Sequence, residues 1–198
     1  MVRFLKMKFY LFFVVLIFSF NVQAKTSGPS KAVEPSFDRE AKLEELYNNL
    51  AKAPNEQVSR KVFSELWATW MIAPDEKAAE SLNKAIRARG GYNFDKAIGI
   101  LDELNKEYPK FAQALSERSY VYFLKKEYDR SLSDCEKVIE LDARHVGCLS
   151  GMARILIRHQ KRYKAGRSTL REAMKVHPWI YERVLLKEIP DFAMNINK

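Results

Sequence analysis

From residue 37 onward the apolar residues recur every three or four positions, the period of an amphipathic helix, and no stretch alternates as a strand does. Residues 37–52 present Leu43, Leu46, Tyr47 and Leu50 as one stripe, and Ala53-Pro54-Asn55 then interrupts the pattern, with Asn55 placed to cap the next helix. That helix, 56–72, carries Val58, Val62, Phe63, Leu66, Trp67, Trp70 and Met71. A face that broad needs a partner on each side, so it is expected to pack against 37–52 and against the helices after it. Further helices are predicted over 75–89, 93–107, 111–125, 127–141, 146–159 and 162–176. Gly90-Gly91 is expected to end the first of these in left-handed geometry. Pro178 closes the last, and 180–189, with Ile180, Val184, Leu185 and Ile189 apolar, would cap the exposed end before Pro190 and a flexible tail at 190–198. The pattern therefore predicts an all-α chain of nine helices with no strand.

The helices come in matched pairs. Phe94-Asp95-Lys96-Ala97-Ile98 falls on Tyr128-Asp129-Arg130-Ser131-Leu132 at a shift of 34, which divides the chain into units at about 78–111 and 112–145. A third unit, 146–179, places Ala153 beside Ser119 and Ala85, then slips by one, because Tyr163 lies 35 positions after Tyr128. The inserted residue is expected in the turn His159-Gln160-Lys161-Arg162, where neither helix would be disturbed.

These units resemble the tetratricopeptide repeat family. The resemblance rests on small residues in the first helix (Ala85, Ser119, Ala153), an aromatic at the turn (Phe94, Tyr128, Tyr163), small residues in the second helix (Ala97, Ser131, Gly166, Ala173) and closing prolines (Pro109, Pro178). Leu104 and Val138 stand where the family has alanine, and Ala143 where it has proline. The phrase Leu66-Trp67-Ala68-Thr69-Trp70, together with Arg144-His145-Val146-Gly147-Cys148-Leu149-Ser150-Gly151, also looks like small exported, periplasmic repeat proteins of Gram-negative bacteria. The resemblance implies a right-handed superhelical stack of antiparallel helix pairs, an α-solenoid, over 75–179, with 37–74 as an introductory hairpin. It also implies a concave groove lined by Leu82, Ile86 and Arg89, then Gln113, Ser116, Tyr120 and Phe123, then Ser150, Arg154, Ile157 and Arg158. An aromatic centre flanked by arginines suits an extended or helical peptide.

The N-terminus sets the compartment. Arg3, Lys6 and Lys8 precede an apolar run from Phe9 to Phe20, and Val22-Gln23-Ala24 has signal-peptidase spacing, so 1–24 is expected to be a cleaved signal peptide and the protein periplasmic or secreted. Residues 25–36, with Ser27, Gly28, Pro29, Ser30 and Pro35, form an expected disordered leader. The remaining chain has no long apolar span, and its formal net charge falls from +9 to +6 once the three leader bases are gone. A net +7, more than that whole charge, lies in 154–175, where the basic surface residues Arg162, Lys164, Arg167, Arg171 and Lys175 join Arg154, Arg158 and Lys161 against Glu172 alone. That face either meets an anionic envelope component or is simply solvated.

Catalytic signatures are missing: no nucleophile elbow, phosphate loop or HExxH occurs, and His145, His159 and His177 are spread along the stack. The expectation is a non-enzyme without cofactor or metal, binding a protein or peptide partner and not nucleic acid, with self-association open. Cys135 and Cys148 fall on adjacent helices and are either a disulfide or two buried thiols.

Overall fold

The computed structural model describes residues 38–190 and the backbone of a short strand at 31–32. The expected signal peptide, most of the leader and residues 191–198 lie outside the described residues. Eight α-helices succeed one another: α1 (Arg39–Ala51), α2 (Glu56–Trp70), α3 (Glu76–Gly90), α4 (Phe94–Glu107), α5 (Ala112–Leu124), α6 (Tyr128–Leu141), α7 (Val146–Arg154) and α8 (Tyr163–Val176). Asp38, Asn55, Asp75 and Asn93 each cap a helix by accepting a backbone N–H three residues on. The pairs α3/α4, α5/α6 and α7/α8 pack antiparallel and stack in sequence as a tetratricopeptide-like solenoid.

Three local features depart from the sequence-based expectation. The left-handed residue that ends the first helix of each pair is Tyr92, Lys126 and Lys161 in turn, and among the described residues no glycine has positive φ. The turn geometry dictates this. The amides of Tyr92 and Asn93 reach back to the carbonyls of Arg89 and Ala88, so the left-handed site lies two residues before the turn aromatic, beyond Gly90-Gly91. The extra residue of the third repeat is absorbed inside the helix. Ile155–His159 forms a π-helical turn that continues α7, closed by the Gln160 amide on the Ile155 carbonyl at 3.0 Å. The C-terminal cap is a 3₁₀-helix, Tyr181–Glu188, seated on α7 and α8 through Leu185 and Ile189.

A short strand pair is the fourth departure. β1 (Lys31–Ala32) runs parallel to β2 (Ile72–Ala73), so the leader is held at these two residues rather than disordered throughout.

The larger surprise is the destination of the N-terminal hairpin. α2 reaches the first repeat through Trp67, Met71 and the adjoining Ala73. The main apolar face of α1 and α2, with Leu43, Leu46, Tyr47, Leu50, Leu66 and Trp70, instead packs on Val146, Leu149, Ala173 and Val176 of the third repeat and on Ile180 just after it. The broad face of 56–72 does have partners on two sides, but the second is two repeats away.

The π turn makes Ile155, Leu156 and Ile157 all buried and sets Leu156 and Ile157 against α8 at Gly166. A Cβ there would lie 2.5 Å from Ile157 Cγ1 and 3.2 Å from the Ile157 backbone nitrogen. Gly166→Ala is therefore expected to destabilise the fold by about 1–3 kcal/mol through overpacking, despite alanine's better helix propensity. Urea denaturation of the two proteins measures it.

Candidate functional site

The inner face of α5 carries Tyr120 and Phe123 three residues apart, and their rings stack with centroids 6.4 Å apart. Phe123 continues to Tyr128 at 6.0 Å, and Tyr128 stacks on His159 of the π turn at 4.2 Å, giving a ladder of aromatic rings across two repeats. Tyr120 is 45% exposed, unusual for a ring so placed. Beside it opens a cavity of about 230 Å³ whose walls come from α5 and α7 and, across from them, from Trp67 of α2. Gly147, Ser150 and Gly151 of α7 lie low along one side, and Cys135 and Cys148 with Ser119 form the floor. Gly151 leaves the space above it empty, with nothing within 4 Å of where a Cβ would be.

The groove positions implied by the resemblance divide into two sets. Ser116, Tyr120, Phe123, Ser150 and Arg154 line the cavity together. Leu82, Gln113 and Ile157 do not belong to a groove: each is at most 1% exposed, because the neighbouring helix of its own or the next repeat covers it. Ile86 is half-buried against the first-repeat core. Among the cavity-lining residues that the sequence did not assign to the groove are Trp67, Gly147 and Gly151. Trp67 belonged to an apolar face wider than one partner needs, which was the available signal.

The arginines have partners within the chain. Arg89 lies 3.2 Å from the buried Glu117 carboxylate and over the Tyr120 ring at 5.1 Å. Arg154 pairs with Glu182 and sits over Phe123, and Arg158 pairs with Glu188, both acids coming from the 3₁₀ cap. Burial raises the Glu117 carboxyl above its ordinary range, opposed by the Arg89 charge and by the Gln113 amide, which donates to it at 3.3 Å. The rim cations are thus spoken for, and the surface still open to a visitor is apolar and aromatic. The basic run splits in the same way. Arg154 and Arg158 face the cap, while Arg162, Lys164, Arg171 and Lys175 are exposed and Arg167 is half-buried, with Lys175 bound to Glu172 at 2.8 Å.

Cys135 and Cys148 are free thiols in this structure, both buried. No helix among the described residues is long and apolar enough to cross a membrane, and among them no group of three or more His, Cys, Asp or Glu is placed to hold a metal. Each histidine stacks on an aromatic ring: His145 on Trp70 at 4.0 Å, His159 on Tyr128, and His177 on Phe63 at 5.2 Å.

Among known proteins the chain is similar to a TPR repeat-containing protein of Rhizobium etli. The two are 27% identical over 115 residues, which cover 58% of this chain and 56% of the relative, so the match spans about half of the relative's length. No family model matches the chain. No solved structure matches it.

His145 anchors the wall that carries Trp67. Its Nδ1 accepts the Cys148 amide at 3.2 Å, and burial holds its pKa at about 4, so the ring is neutral in the fold. Between that value and about 6.5 the unfolded chain binds the proton and the folded one does not. The stability this histidine contributes is present above pH 6.5 and is lost as pH falls, by about 3 kcal/mol at pH 4. Urea denaturation from pH 7.5 to 4 on the protein and on His145→Gln checks this. The difference in stability between the two should shrink steadily with acidification.

Proposed function

Taking the chain as the tetratricopeptide-type repeat protein that its helix pairs and its relative both indicate, we propose that it is a protein-interaction module. Its partner segment lies along the inner faces of α5 and α7 and enters the cavity walled by Trp67. The observation that carries the reading is Tyr120: a ring nearly half exposed, stacked on Phe123, beside a cavity with mainly apolar and aromatic walls. A tyrosine there offers a large rigid contact area at little entropic cost, the property of interface anchors. Because Arg89, Arg154 and Arg158 are each held by an acid of the chain, recognition rests on ring contacts and on backbone hydrogen bonds to the partner, with little reward for acidic side chains.

The leader bases and apolar run at 3–20, followed by Val22-Gln23-Ala24, support export, and we place the activity in the periplasm on that ground. The module acts as a non-catalytic scaffold, in keeping with its similarity to a repeat-containing relative. The exposed cations of α8 offer this scaffold a second, electrostatic contact with an anionic envelope component.

The test is capture from envelope extracts by immobilised protein. Tyr120→Ala removes an exposed ring without touching the core and is expected to weaken capture roughly tenfold or more; adding Phe123→Ala should abolish it with helical content unchanged by far-UV circular dichroism. Undiminished capture by the double variant would move the binding surface elsewhere on the molecule.

A further inference from the structure

The floor of the cavity holds two thiols that the peptide reading does not use. Cys135 comes from α6, the second helix of one repeat, and Cys148 from α7, the first helix of the next. The two belong to one buried cluster with Val138 and Leu115, and both line the same cavity. Hydroxyls hold them on the other sides: Ser119 Oγ lies 3.0 Å from Cys135 Sγ, and Cys148 Sγ donates to Ser116 Oγ at 3.8 Å. Although nearly covered, both residues line the cavity, which is open to solvent and wide enough for a molecule the size of two waters. Burial and the neighbouring Cys135 hold the Cys148 thiol well above its usual range, so that thiol rests protonated at neutral pH.

From this placement we infer that Cys135 and Cys148 form an oxidation site: a dithiol that a small peroxide, entering through the cavity, converts to a disulfide joining the second repeat to the third. One sulfur, losing its proton, attacks a peroxide oxygen. The O–O bond breaks, a sulfenic acid forms, and the departing hydroxide leaves with that proton as water. The second sulfur then attacks the sulfenic sulfur; the S–S bond forms, the S–O bond breaks, and the hydroxide released takes the second thiol's proton. Two thiols and one hydrogen peroxide give one disulfide and two waters, the sulfurs losing the two electrons that the peroxide oxygens gain. The product ties α6 to α7 beneath Gly147 and Gly151, fixing the wall that faces Trp67. The oxidation depends on the position of the thiols and on access through the cavity, and it does not require that the groove bind a peptide.

The experiment treats the native full chain with hydrogen peroxide, removes the oxidant with catalase, then denatures and alkylates with iodoacetamide for intact mass. The untreated protein should take two alkyl groups. The treated protein should take none until it is reduced, and should remain a monomer on a non-reducing gel with unchanged far-UV circular dichroism. Cys148→Ser, given the same treatment with dimedone present, should carry one dimedone adduct, at Cys135. Two alkylatable thiols after treatment, sulfinic or sulfonic acids in place of a bridge, disulfide-linked dimers, lost helicity or an unlabelled variant would each overturn the inference.

Discussion

Trp70 is buried where the two ends of the repeat array come together, and its polar atom decides the geometry there. The indole N–H donates to the Tyr47 hydroxyl at 3.0 Å, and that hydroxyl donates to the Asp142 carboxylate at the end of α6. On its face the indole meets the neutral His145 ring. Burial and the adjacent carboxylate keep Tyr47 protonated far into the alkaline range, so the relay persists as a donor chain. An aromatic pair with both polar groups satisfied can be buried almost completely without a desolvation penalty left over. Glu44 and Arg144 extend the contact at the surface, with the guanidinium 4.3 Å from the Tyr47 ring. Without this junction α2 would have no reason to pack toward α7, and the cavity would lack its Trp67 wall.

The features legible in the sequence were the local ones. Helix spans, the Asn55 cap and the repeated turn aromatics depend on residues a few positions apart, and the structure places them within one or two residues of expectation. The one-residue slip before Tyr163 was visible, but a longer turn and a π turn shift the register alike, and the sequence does not distinguish them. Burial of Ile155, Leu156 and Ile157 in succession settles it in space. Of the site, Tyr120 and Phe123 were legible through the repeat resemblance, which carries the groove positions onto the first helix of each pair. The neutralised arginines were not, since Glu182 and Glu188 lie 28 and 30 residues further along a segment whose docking no local pattern encodes. The hairpin's attachment to the third repeat was hidden for the same reason.

Charge placement divides the molecule. Inside the array, acids and bases are matched: Arg118 holds Asp134 through two hydrogen bonds of 2.7 Å and Asp102 through a third, while the half-buried Arg89 meets the buried Glu117. Such buried pairs orient helices more than they stabilise them, because each ion loses its hydration. The outer face of α8 has no comparable set of acids, and its exposed cations retain their hydration and their field. The groove side is therefore electrically quiet and the outer side is not, so two surfaces of one small domain differ in what they attract.

Closure of the array also changes how the chain must fold. In an open solenoid each unit touches only its neighbours, so the ends fray and structure spreads from any point. Here the Trp179 indole donates to the Ala53 carbonyl across 126 residues of sequence, and Tyr47 reaches Asp142 across 95. Contacts of that range form late and carry a loop-closure entropy that repeat proteins ordinarily avoid. Once made, they bind the first and last elements into one cooperative unit, so that neither terminus can peel away without opening the other.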